Sequence, residues 1–190
     1  MCRPIEIGEC AEGTYVVQSW IDGVDAKDVL SDLDITKQYA LGIEAGRILK
    51  KIHSVPAPAD QPDWEVRFNN KMNRKIQMYN DCPIKFDGAE YIIDYIENNR
   101  HLLKDRPQCY QHGDYHIGNM MIENGHIVII DFDRYDFGDP WEEFNRIVWC
   151  AQSAPLFASG IVNGYFDNEA PMDFWKLLAL YISSNMLSSI

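Results

Sequence analysis

The chain has 190 residues, a formal net charge of −12, 46% hydrophobic and 12% aromatic residues. That length bounds it to one good core and one natural domain, and the apolar content excludes a disordered chain. The acidity argues against a general nucleic-acid binder, since phosphate backbones select basic surfaces; it agrees with a cationic or neutral substrate, or with plain solubility.

No basic segment followed by an apolar one opens the sequence, and no run approaches the ~20 apolar residues of a membrane span. The expectation is a soluble, cytoplasmic protein without a membrane partner. Cysteines at 2, 10, 82, 109 and 150 are odd in number, scattered and free of any C-x-x-C pair, so free thiols are expected rather than disulfides or a zinc site.

In chain order, 5–8 and 14–20 read as two strands around a polar turn at 9–13, and Ile21 to Asp25 as a turn-rich break. Helical spacing of Leu41, Ala45, Ile48, Leu49 and Ile52 predicts a helix over 34–53, ended by Val55-Pro-Ala-Pro58. A second helix over 64–79 carries Arg67, Lys71, Arg74 and Lys75 on one side, read as a solvated face rather than a phosphate site. A third covers 88–103. Asp139-Pro140 is expected to begin another helix, with helices over 155–166 and 171–190 completing the chain. The last is apolar on nearly every side, so a partner subunit or further chain is expected to cover it.

Between these helices lies His112-Gly-Asp-Tyr-His-Ile-Gly-Asn119, followed twelve residues after Asn119 by Asp131-Phe-Asp133. Asp114 and Asn119 have the D-x-x-x-x-N spacing of the kinase catalytic loop, in which the Asp faces the acceptor hydroxyl and the Asn holds Mg²⁺. The intervening runs 120–123 and 126–130 are apolar and separated by Asn124-Gly125, a strong two-residue turn signal. A hairpin there returns the chain on itself and sets Asn119 beside Asp131, where one hard cation can be bound from both.

H-G-D-x-H-x-x-N, then I-D-F, then Gly138-Asp-Pro140 resembles the aminoglycoside phosphotransferase and choline kinase superfamily, small-molecule relatives of protein kinases. The resemblance implies an α+β, protein-kinase-like C-lobe, mainly helical with small β-hairpins, over 23–190. A remnant N-lobe hairpin and hinge, over 1–22, would precede it. It implies Asp114 as the catalytic carboxylate, Asn119 and Asp131 as ligands of Mg²⁺, and ATP or GTP as donor to a hydroxyl of a small-molecule acceptor. Backbone near Ser19, Trp20 and Ile21 would meet the adenine, unless 1–22 is an ordinary edge hairpin.

His112 reads as a hydrogen-bonded anchor of the loop, His116 as a phosphate contact or a packing residue, and Asp133 as an aid to a second cation. Asp139 reads as a cap steadying the loop from a helix start. Glu143 stands where the family has Asp, one methylene longer. Eight carboxylates and one basic residue, Arg134, fall between Asp114 and Glu143, which suits an amino-sugar or polyamine-like acceptor. Only Arg3 is basic before the Tyr15 strand, and the family's phosphate loop and strand lysine are missing. Met1 is therefore expected to be an internal methionine of a longer protein, or the chain a lobe fragment. A non-catalytic binding module, and more remotely a metal-dependent phosphohydrolase using His112, His116 and Asp114, are the alternatives.

Overall fold

A computed structural model describes residues 3–187; Cys2 and the last three residues of the expected terminal helix lie outside that range. The first two alternating segments pair as β1 (Pro4–Cys10) and β2 (Gly13–Gln18), an antiparallel hairpin closing at Cys10 and Gly13. Pairing runs further into the expected turn and stops short of Trp20. Ile5, Ile7, Val16 and Val17 stay exposed, because no layer among the described residues packs on this two-stranded sheet.

β3 (Val24–Asp25) and the single turn α1 (Ala26–Val29) follow, then α2 (Ile35–Ile52) and α3 (Trp64–Asp81). Asp34 and Asp63 start the two long helices as expected of short acidic caps: their carboxylates accept from the amides of Thr36 and Val66 at 2.8 and 3.0 Å. α4 (Ala89–Asn99) tightens into a 3₁₀ turn at Arg100–Leu103. β4 (Cys109–Gln111) leads into the motif loop. β5 (Met120–Glu123) and β6 (His126–Ile129) form the expected hairpin, with β3 adding a third strand along β5. β7 (Asp136–Gly138) returns antiparallel to β4, a pairing that the sequence pattern does not announce.

The helix expected at Asp139-Pro140 does not start there. Glu142 and Phe144 amides bond to the carbonyls of Asp139 and Trp141, three residues back, giving a 3₁₀ segment at Glu142–Arg146 before α5 (Ile147–Ser153). α6 (Pro155–Phe166) has proline in its first turn, where the missing N–H costs nothing. α7 (Met172–Met186) ends the described chain.

The result is an α+β architecture with two buried clusters. One gathers α2, α5, α6 and the β5–β6 hairpin around Leu49, Met120, Phe144, Phe157 and Ile161; the other joins α3, α4 and α7 around Phe68, Met72, Ile96, Leu180 and Tyr181. α7 contributes to both, Phe174 and Leu178 to the first, Leu177, Leu180 and Tyr181 to the second. Much of the apolar surface of α7 is thus covered by the chain's own elements, while Met172, Trp175 and Met186 stay exposed.

α2 and α6 pack backbone against backbone. A Cβ added at Gly42 or Gly46 would strike the carbonyl oxygens of Phe157 and Ile161, and one at Gly160 or Gly164 those of Tyr39 and Ile43. Gly46→Ala should therefore destabilise the fold by about 1–3 kcal/mol through overpacking, despite the better helix propensity of alanine. Urea denaturation checks this; an unchanged or raised midpoint would refute the close packing.

Candidate active site

The functional hairpin is built by local turn chemistry. Asn124 and Gly125 both adopt positive φ, 53° and 82°, as a two-residue turn matched to twisted strands requires. Register then follows from Glu123 opposite His126 to Met120 opposite Ile129. The ladder extends one step further, the Ile130 amide donating to the Asn119 carbonyl at 3.1 Å. Asp131 comes next, so the two ends meet as the spacing predicted.

Asn119 Nδ2 donates to the Asp114 carbonyl at 2.9 Å, which leaves Oδ1 as the amide's free acceptor. Asp131 follows a buried strand yet is itself exposed: the chain turns outward there with φ of 65°. What favours a cation is its place beside Asn119, not a burial penalty. An amide oxygen and a carboxylate are hard donors of the kind that hold Mg²⁺ together with phosphate oxygens. Among the described residues no group of three or more His, Cys, Asp or Glu could hold a metal by itself.

The loop 112–119 is locked from behind. His112 is fully buried and both ring nitrogens are engaged: Nε2 with the Ile130 carbonyl at 2.9 Å, Nδ1 with the Asp114 amide at 3.2 Å. It therefore has no nitrogen to spare for a metal, which removes the basis of the hydrolytic reading. Buried Glu143 accepts from the Gly113 amide at 3.0 Å and the Tyr115 amide at 3.4 Å. The extra methylene relative to aspartate does not prevent that reach. His53, buried at 3.7 Å from Glu143, in turn meets the Tyr165 hydroxyl at 3.0 Å.

Asp114 itself is held without being satisfied. Oδ1 lies 3.4 Å from Arg146 Nε and 3.6 Å from His116 Nε2, and Oδ2 lies 3.5 Å from Arg134 Nη1. Oδ1 is buried yet accepts no hydrogen bond. His116 Nδ1 accepts from the Gly118 amide at 3.0 Å, which leaves Nε2 toward Asp114. Burial holds the His116 imidazole below its ordinary value, outweighing the carboxylate beside it. Its ring also packs edge-on against Trp149, at 4.7 Å between centroids.

Asp139 does more than the expected capping. It accepts from the Trp141 amide at 2.9 Å, but is fully buried against a bidentate Arg106 at 2.6 and 2.9 Å and the Tyr181 hydroxyl at 2.6 Å. Arg106 stacks over Trp141 at 3.9 Å. Nothing in the sequence flags Arg106, which lies outside every motif. Arg106→Met should cost about 3–5 kcal/mol by stranding a buried carboxylate; equilibrium denaturation checks it, and a loss below 1 kcal/mol would show that the pair is dispensable.

The basic side of α3 is not the solvated face expected. Arg67 pairs with Asp136 at 2.8 Å and Lys71 with Glu142 at 3.1 Å, so the helix docks onto the segment after the motif. Lys75 is buried, donates to Asn185 at 2.7 Å, and burial pulls it down to about 8. An amine depressed below its unfolded value of 10.5 binds fewer protons in the native state between those limits. The native chain should thus gain stability relative to Lys75→Met as pH rises from about 8 to 10.5. Paired urea melts at the two limits measure this, and a flat or opposite difference would exclude a depressed Lys75. The thiols of Cys109 and Cys150 are pushed by burial up to about 12 and stay protonated.

A cleft of about 760 Å³ separates the β1–β2 hairpin from this platform, with Pro4 and Gln18 on one wall, Val55 and Tyr110 on another, and Asp131 and Asp133 at one edge. Of the expected hinge residues none lines it: Ser19 is tied to Arg3, Trp20 is 89% exposed and Ile21 is buried. Asp133 is exposed at the cleft edge.

A catalytic-type loop and an acidic hairpin end, carried on a mostly helical body with small antiparallel sheets, form the kinase-like fold of small-molecule phosphotransferases. The family model for the phosphotransferase enzyme family matches residues 1–175, and the chain belongs to that family. Among solved structures it is similar to a thermostable mutant of aminoglycoside phosphotransferase APH(4)-Ia, with 19% identity, a TM-score of 0.66, and coverage of 99% of this chain and 68% of that one. It is also similar to a choline/ethanolamine kinase family protein from Mesorhizobium loti, with 14% identity, a TM-score of 0.67, and coverage of 98% and 62%. A streptomycin–ATP complex of APH(2")-IIa matches with 19% identity, a TM-score of 0.60, and coverage of 85% and 59%. No curated protein matches in sequence. No helix among the described residues is long and apolar enough to cross a membrane.

Proposed function

We propose that the chain transfers the γ-phosphoryl group of ATP or GTP to a hydroxyl of a small molecule, with Asp114 facing the acceptor. The observation that carries this is Asp114 Oδ1, buried and without a hydrogen bond, at the end of a loop fixed by Glu143 and His112. An acceptor hydroxyl donating to that oxygen is aligned for attack and gives its proton to the carboxylate late, as its oxygen bonds to phosphorus and the bond to the departing diphosphate breaks. Positioning supplies most of the rate in so loose a transition state. Asn119 Oδ1 and Asp131 would hold Mg²⁺, which supplies charge neutralisation on the phosphate oxygens. Arg134 and Arg146, flanking Asp114 at 3.5 and 3.4 Å, hold its carboxylate in place.

The division into a hairpin-and-hinge segment at 1–22 and a lobe at 23–190 belongs to the same proposal, the nucleotide entering the cleft between them. One observation favours a second reading: the hairpin carries no lysine and leaves its apolar residues in solvent, as a binding module without turnover allows.

Calorimetric titration with MgATP and MgGTP separates the two. Saturable binding lost in Asp131→Asn, with turnover over an acceptor panel falling about 10²–10⁴-fold in Asp114→Asn, supports the kinase. Binding that survives Asp131→Asn, or turnover indifferent to Asp114→Asn, would overturn it.

A further inference from the structure

The acidic run from Asp114 to Glu143 does not make an acidic acceptor site. Glu123 accepts from the Asp22 amide, Asp136 pairs with Arg67, Asp139 with Arg106 and Glu142 with Lys71, and Glu143 is taken by the loop amides. The carboxylates left over are Asp114, Asp131 and Asp133, which the phosphoryl transfer itself uses or adjoins. None remains to bind an amino sugar.

Beside Asp114 there is instead an opening of about 460 Å³, walled mainly by Phe86, Val148, Trp149, Ile182 and Met186, with Asn145 and Asn185 also lining it. The one charged group among the described residues that line it is Arg146. This guanidinium joins the pocket to the catalytic carboxylate: its Nε lies 3.4 Å from Asp114 Oδ1, and it stacks over Trp149 at 4.9 Å. The nearest approach to Asp114 is through Nε, and the guanidinium, held against the indole, lines the pocket. An ammonium brought there meets a like charge over apolar walls, whereas a carboxylate or phosphate gains a planar, charge-assisted partner.

We infer that the acceptor is an alcohol with an apolar body and an anionic group, the body on Trp149 and Phe86 and the anion on Arg146. The inference rests on the phosphotransferase reading for its hydroxyl and on Arg146 and the pocket walls for its charge. It runs against the overall charge of the chain, a net −12 that taken alone favours cations.

The test uses two probes of similar body and opposite charge, 3-phenyllactate and phenylalaninol, titrated calorimetrically into the 190-residue chain at pH 7.5 with MgATP titrated into the same sample. The expected result is binding of phenyllactate at least about tenfold tighter than phenylalaninol, with the preference lost in Arg146→Gln and kept in Arg146→Lys. A preference for phenylalaninol, no saturable binding of phenyllactate, or a preference unchanged in Arg146→Gln would overturn it. Arg146→Gln weakening MgATP alone would also overturn it, by assigning the guanidinium to the nucleotide. The wild-type preference stands as a result even where a variant fails to fold. Failure of the underlying reading shows separately, as absent MgATP binding whatever the probes do.

Discussion

A buried ion pair holds this molecule together. Asp139 has no exposed surface, and Arg106, Tyr181 and the Trp141 amide all converge on its two oxygens. Tyr181 brings in α7 and, through the Trp64 indole, α3; the Gln111 side chain donates to the Asp139 carbonyl and brings in β4. A carboxylate so far from water is tolerable only when every lone pair is matched. That requirement fixes how the two hydrophobic clusters meet and where β7 lies against β4. The segment leaving Asp139 then delivers Glu143 to the back of the catalytic-type loop. Placement of Asp114 thus descends, through two buried carboxylates, from one guanidinium.

The sequence was most legible where structure is local. Asn124-Gly125 between two apolar runs left little freedom, and the meeting of Asn119 with Asp131 followed from counting residues. Caps at Asp34 and Asp63 and the proline of α6 likewise act within a turn of themselves. Legibility failed where partners are distant in sequence. Arg106 finds Asp139, Arg67 finds Asp136 and β4 finds β7 across stretches with no periodic signal. The four glycines of the α2–α6 contact are unremarkable alone, since their role exists only once two backbones approach.

Charge patterns are hard to read for the same reason. The run of acids after Asp114 suggests a surface for a cationic acceptor, and the bases on α3 suggest a solvated face. In the fold they largely cancel one another, Arg67 on Asp136 and Lys71 on Glu142. A one-dimensional charge pattern reports surface potential only for residues that stay on the surface. Asp131 departs from its neighbours in the opposite sense: a strand that is buried through Ile129 ends in a carboxylate that is not.

The β1–β2 hairpin has a consequence for how the cleft behaves in time. A two-stranded ribbon with solvent on both faces is marginal in water, and its backbone bonds open at a small fraction of the global unfolding free energy. The opposite wall rests on a core with Leu49, Met120 and Phe157 fully enclosed. One side of the cleft is therefore fixed and the other breathes. A ligand bridging them must order the hairpin as it binds, so part of its contact energy goes into closing that wall and its apparent affinity reports the wall's stiffness as well as the fit.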